Sequence, residues 1–116
     1  MLLYKVFYTN WSIPDKWSGI VRGPFIFIRP EFKGNVAFLE HEKQHVRQWW
    51  RGLLALHTIR YKLSKSYRYQ CELEGYAVQY KINGYGLDKY AWYLANTYGL
   101  DVTQEQAKVD LLSKVG

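Results

Sequence analysis

The spacing of apolar residues changes once along this chain, and the change divides it in two. Before Pro30 the apolar residues come in short runs. Leu2 to Thr9 is rich in Leu, Tyr, Val and Phe, and Phe25-Ile26-Phe27-Ile28 is an unbroken apolar tetrad. Such runs between turn formers predict short strands. Asn10 to Gly23 holds Asn, Ser, Pro, Asp and two Gly, so a loop is expected there, packed down by Trp11 and Trp17. Pro24 and Pro30 bracket the second run. Proline cannot donate to a ladder, so the bracket marks Phe25 to Ile28 as an edge strand.

From Val36 onward the period becomes helical. Phe38, His41, Glu42, His45, Trp49, Gly52, Leu53 and Leu56 fall on one broad face, whereas Glu40, Lys43, Arg47 and Arg51 fall mainly elsewhere. Asn35 is placed to cap this helix, expected over Val36 to Tyr61. Lys62 to Ser66 is a break, and Ser66 is the expected cap of a second helix, Tyr67 to Ile82, stopped by Asn83-Gly84-Tyr85-Gly86. A third helix is expected over Leu87 to Tyr98 with Gly99 closing it, and a fourth over Gln104 to Lys114 behind a Thr103–Gln106 capping box. The expected fold class is α+β: one domain over residues 1–116, with a short N-terminal antiparallel sheet whose edge strand packs on about four helices.

Composition refines this picture. The 116 residues include eleven Tyr and five Trp, side chains that bury large rings yet keep a polar tip. A net charge of +6 favours anionic partners. The densest basic run, Arg60 to Arg68, interleaves Arg60, Lys62, Lys65 and Arg68 with Tyr61 and Tyr67. That pattern suits a nucleic-acid groove, although a solvated helix face explains it more simply. The single cysteine, Cys71, excludes an internal disulfide framework and reads as a small buried hydrophobe rather than a ligand. The N-terminus lacks the features of a secretory signal, and no apolar run is long enough to span a bilayer, so a soluble cytoplasmic protein without a membrane partner is expected.

The chemistry concentrates at His41-Glu42-Lys43-Gln44-His45. Two histidines four apart on a helix point the same way and can share one metal ion, and the glutamate after the first can reach a water held by that metal. Without such a partner, three ionisable groups on a core-facing stripe are expensive to bury. A catalytic zinc site wants a third protein ligand and an open position for water. Glu72 and Glu74 on the next helix are the candidates. They lie about 200° apart around the helix, so only one can face the ion, and periodicity does not decide between them. His57 lies too far along the first helix to share the ion, and Trp49 and Trp50 are expected to anchor that helix.

H-E-x-x-H at His41 to His45, followed downstream by Glu72-Leu73-Glu74-Gly75-Tyr76-Ala77 on a helix, resembles the gluzincin branch of the zinc metallopeptidases, in particular its small single-domain members (minigluzincins) and small phage peptidases. The resemblance covers about Phe25 to Gln79. It implies Zn²⁺ as cofactor, His41, His45 and Glu72 as ligands with Glu74 as the alternative, and Glu42 as the catalytic base. The register with Glu72 puts Gly75 where the family packs a small residue against the motif helix. It also puts Tyr76 where the family often has an Asp, so Tyr76 or a backbone carbonyl is expected to orient a ligand histidine. The oxyanion donor is expected among Tyr67, Arg68, Tyr69, Tyr76 and Tyr80, and Phe25 to Ile28 is expected to bind substrate by strand addition.

The function that follows is zinc-dependent hydrolysis of amide bonds in a protein or a peptidoglycan-like cell-wall peptide, in a chain of possible phage origin. Two alternatives are a catalytically silent zincin-like binding or structural component, and a basic nucleic-acid-binding protein whose motif is fortuitous.

Overall fold

A computed structural model describes residues 2–116. Three strands come first: β1 (Lys5–Tyr8), β2 (Gly19–Arg22) and β3 (Phe25–Ile28). A short 3₁₀ turn, Pro30–Phe32, leads into five helices: α1 (Val36–Arg51), α2 (Ala55–Leu63), α3 (Lys65–Asn83), α4 (Leu87–Asn96) and α5 (Gln104–Val115). The class is α+β, as the pattern predicts.

The sheet departs from expectation in two ways. Its order is β1-β3-β2, so Phe25–Ile28 is the central strand and not an edge. It is also mixed rather than antiparallel: β1 pairs parallel to β3 with Val6 opposite Ile26, and β2 pairs antiparallel with Val21 opposite Ile26. The bracketing prolines lie just outside the four-residue ladder, so they cost it no donor, and the Pro24 carbonyl even accepts from the Lys5 N–H at 3.0 Å. β2 falls inside the stretch expected to be loop. The two residues between β2 and β3 are Gly23 and Pro24, and Gly23 has φ +60°, the left-handed start that a tight hairpin asks of its first turn residue.

Strand alternation then sets the layers. Ile26 and Ile28 are buried against Val46 of α1. Phe27 points the other way and stacks on Phe7 with centroids 5.2 Å apart. Arg29 ties down the loop between β1 and β2, donating to the carbonyls of Trp17 (2.8 Å), Ile13 (3.1 Å) and Pro14 (3.0 Å) and to Asn10 Oδ1 (2.9 Å). Trp17 packs on Tyr98, whereas Trp11 is exposed.

The long first helix is broken. α1 starts as predicted, with the Asn35 side chain accepting from the Phe38 N–H, but it ends at Arg51. A Cβ on Gly52 would meet His57 Cβ and the Gln48 carbonyl at 2.9 Å, so this glycine lets α2 fold back against α1. Leu53 and Leu54 complete the turn at φ +63° and +60°, a region side chains rarely adopt. Periodicity cannot see such a turn, because no proline marks it.

The helical core joins Leu73, Tyr76 and Ala77 of α3 to Tyr90, Ala91 and Leu94 of α4 and to Ala107 and Leu111 of α5. It is a separate cluster from the one between α1 and the sheet. Among the described residues no helix is long and apolar enough to cross a membrane.

The cap of α3 is Ser64, not Ser66: its side chain accepts from the Tyr67 N–H at 3.2 Å. Ser64→Ala is therefore expected to lower stability by about 1 kcal/mol in urea unfolding, and Ser66→Ala by much less.

Candidate metal centre

α1 packs along α3, and the buried side chains of both meet between the two hydrophobic clusters. His41 and His45 sit one turn apart on α1 with their Nε2 atoms 3.2 Å apart. Glu72 faces them from α3. Its Oε1 lies 3.2 Å from His45 Nε2 and 3.5 Å from His41 Nε2. The three donor atoms form a nearly equilateral triangle. Ligands about 2.0–2.1 Å from a tetrahedral ion stand about 3.3 Å from one another, so this triangle has the size of one face of a zinc coordination sphere.

The surroundings set the orientation of each donor. His45 Nδ1 meets Gln48 Oε1 at 2.8 Å. The Gln48 amide nitrogen donates to the Cys71 carbonyl (2.9 Å) and to Glu74 Oε1 (2.7 Å), both pure acceptors, so its oxygen must face the imidazole and take the Nδ1–H. His41 Nδ1 is held likewise by Gln79 Oε1 at 2.8 Å. Both Nε2 atoms are thereby turned inward. Tyr61 of α2 donates to Glu72 Oε2 at 2.5 Å, which occupies one carboxylate oxygen and leaves the other. That other atom, Oε1, is the one buried side-chain polar atom without a hydrogen-bond partner among the described residues. A buried carboxylate oxygen without a donor is costly, and either a proton on the adjacent His45 Nε2 or a cation at the centre of the triangle would satisfy it.

Gly75 makes room for this. A Cβ there would lie 2.8 Å from His41 Nε2 and 3.0 Å from Cδ2 and Cε1. Tyr76 closes the other side of the ring edge-on, with centroids 4.4 Å apart at 76°.

Glu42 is buried with its Oε1 3.8 Å from His41 Nε2. His41, Glu42 and His45 each offer a ligand atom within 4.8 Å of the others, a group able to hold a metal ion. Distance nevertheless favours Glu72 as third donor, since its oxygen approaches both imidazoles more closely than Glu42 approaches His41.

Charge follows the geometry. Burial pushes the Glu42 carboxyl up, more than the two neighbouring histidines pull it down. Burial also disfavours charge on Glu72, but the adjacent His45 charge and the contacts with both imidazoles outweigh it and hold this carboxyl well below its usual range. At His45 burial opposes protonation, yet the Glu72 carboxylate, with Glu42 behind it, raises the pKa to about 9. Burial and then the Glu72 charge push the Tyr61 and Tyr76 hydroxyls up, so both stay protonated donors.

The remaining expected residues are elsewhere. Glu74 pairs with Arg51 at 3.0 Å and with Gln48, outside the triangle. His57 bonds the Tyr67 hydroxyl at 2.7 Å. Burial pushes the Cys71 thiol up to about 12, in keeping with a small hydrophobe. Arg68 is engaged with the backbone carbonyls of Tyr61, Lys62 and Tyr98, and Tyr69 with Asp110. Tyr80 packs at the margin of the helical core. Of the expected oxyanion donors, Tyr76 is the one in contact with a motif histidine, and its hydroxyl pairs with that of Tyr98 at 2.6 Å. It does not orient a histidine through a hydrogen bond. Amides do that, from Gln79 and Gln48, and a search for a carboxylate four places after Glu72 passes over both. Gln48 follows His45 at i+3 and Gln79 follows Glu72 at i+7, spacings that keep each on the face of its partner. The chain matches no family model, no curated protein and no solved structure.

Gly75→Ala is expected to displace the His41 ring and weaken zinc binding at least about tenfold in chelator competition, the scale on which ligand orientation matters. Alanine favours a helix, so a loss would not come from α3 unfolding. Zinc ligation requires neutral imidazole, whereas His45 carries its proton until about pH 9. Zinc uptake at pH 7 should therefore release about one proton per ion, and affinity should rise with pH up to about 9 and level off above it. Titration calorimetry in buffers of different ionisation heat measures both.

Proposed function

We propose that this chain is a zinc-dependent metallopeptidase of the kind its H-E-x-x-H motif resembles, hydrolysing amide bonds in a protein or cell-wall peptide. The observation that carries the reading is the triangle of His41 Nε2, His45 Nε2 and Glu72 Oε1, with edges of 3.2, 3.2 and 3.5 Å and an otherwise unpartnered carboxylate oxygen. These three residues would hold the ion. Bound there, zinc supplies Lewis acidity and a water acidic enough to ionise near neutral pH.

The protein's own groups do the rest. Glu42 is the general base. Its carboxyl, raised by burial, is moved toward the range in which a base both holds and releases a proton near neutral pH. It takes a proton from the attacking water and gives it to the leaving nitrogen. Gln48 and Gln79 keep the imidazoles in the ligating tautomer, and Tyr61 keeps Glu72 turned toward them. A substrate strand cannot add to β3, which is paired on both sides, but β2 offers a free edge. β2 also approaches the motif helix: a Cβ on Gly19 would lie 3.0 Å from the Phe38 ring, one turn before His41.

A second reading, a zinc-holding domain without catalysis, is favoured by burial, since His41 and Glu72 are each only 3% exposed and Glu42 6%. The two readings part on activity. The purified protein should bind about one zinc per chain. Glu72→Ala should lose it and Glu74→Ala should not. Glu42→Gln should keep zinc and the fold while abolishing peptide hydrolysis, at a cost of at least about a hundredfold. Absence of hydrolysis in the zinc-loaded parent protein supports the second reading, and absence of zinc removes both.

A further inference from the structure

The net positive charge of this chain comes from one stretch. Residues 43–71 contain seven of the sixteen Lys and Arg and none of the ten Asp and Glu, so the remainder carries nine cations against ten acids. At the middle of that stretch lies α2, and its apolar side chains face outward. Leu56, Ile59 and Leu63 are 51–80% exposed, and at 100° per residue they fall within about 60° of one another. Leu53 (70% exposed) and Leu54 (41%) extend the patch into the strained turn before the helix. The inward face of α2 is different in character: His57 reaches Tyr67, and Tyr61 reaches Glu72. Arg60 and Lys62 flank the outer stripe on either side; neither forms an ion pair among the described residues, although the Arg60 guanidinium rests over the Tyr67 ring, 4.1 Å from its centroid.

From this arrangement we propose that α2 is a docking surface for an anionic lipid bilayer, with Leu53, Leu56, Ile59 and Leu63 entering the headgroup boundary and Arg60 and Lys62 meeting lipid phosphates. A helix with an aliphatic stripe between cations is the arrangement that lies in a membrane interface without spanning it. Charge selects the occupant. A second copy docked through the same face would bring two sets of cations without acidic partners together, which disfavours a symmetric dimer. Nucleic acid would engage the cations but leave the projecting leucines in water. Anionic lipid satisfies both features. The proposal stands independently of the zinc reading. It departs from the expectation of no membrane partner, which rests on the lack of a spanning segment, and docking at the surface needs none.

Co-sedimentation with lipid vesicles tests it. The full chain should bind vesicles containing phosphatidylserine at least about tenfold more tightly than phosphatidylcholine vesicles, and less tightly as salt rises. Leu56→Ser/Ile59→Ser/Leu63→Ser, all exposed positions, should reduce that binding at least about tenfold with the thermal midpoint unchanged. Lys62→Glu should weaken it about threefold or more. Equal binding to both vesicle types, no binding to either, or full binding by the triple serine variant would overturn the proposal. Self-association of the parent protein that the triple variant abolishes would overturn it too and assign the face to a second copy.

Discussion

A carboxylate cut off from water needs positive charge or donated protons within a few ångströms, and Glu72, 3% exposed, must find them in the protein. One of its oxygens takes the Tyr61 hydroxyl. The other is left to the two imidazoles, 3.2 and 3.5 Å away, whose charge keeps the carboxyl ionised. Much of the architecture can be understood from that requirement. α1 must lie close enough to α3 to deliver both histidines, and Gly75 removes the side chain that would stand between them. α2 must turn back sharply enough to bring Tyr61 to the far side, which is what Gly52 and the two left-handed leucines accomplish. The donors meet at the seam between two apolar clusters rather than in an open cleft, and this raises the Glu42 carboxyl and lets the neighbouring charges act strongly on one another.

The sheet contributes by position. Ile26 and Ile28 anchor α1 through Val46, one residue after His45, so the central strand fixes where the second imidazole stands. On the opposite side of α3, Tyr76 belongs to the helical core and also touches His41, so packing among α3, α4 and α5 bears directly on the first imidazole. Donor geometry and core packing are therefore one problem in this fold.

What could be read from residues alone follows from how local each signal is. His41, His45 and Glu42 depend on the 3.6-residue repeat within a single helix and turn inward together, but the repeat does not place the whole buried face: Val46 and Gln48, outside the expected stripe, are fully buried, and Leu53 and Leu56, expected on it, are exposed because the helix breaks at Gly52. The Asn35 and Thr103 caps are equally local. The preference for Glu72 over Glu74 comes from the family resemblance and not from local pattern; Glu72 lies beside both imidazoles, whereas Glu74 pairs with Arg51. Non-local pairing was harder to read. That β3 is central, with a parallel neighbour on one side, depends on β1 returning beside it across a loop held by Arg29, and nothing inside Phe25–Ile28 encodes that. Gly23-Pro24 is a hairpin turn, but its composition is equally that of a loop. The break after Arg51 was hidden because leucines occupy its left-handed positions. Gln48 and Gln79 were overlooked for a chemical reason: an amide oxygen can fix an imidazole tautomer as a carboxylate does, but without a charge to draw attention to it.

The amide of Gln48 joins three things that would otherwise be separate: the Nδ1–H of His45, the backbone of α3 at Cys71, and the Glu74 carboxylate, which in turn holds Arg51 in water. The buried imidazole is thus the inner end of a tether whose outer end is a solvent-facing guanidinium. Ionic strength, or any chemistry that alters that guanidinium, has a route of four groups to the heart of the molecule, and the orientation of an interior ring becomes answerable to events at the surface.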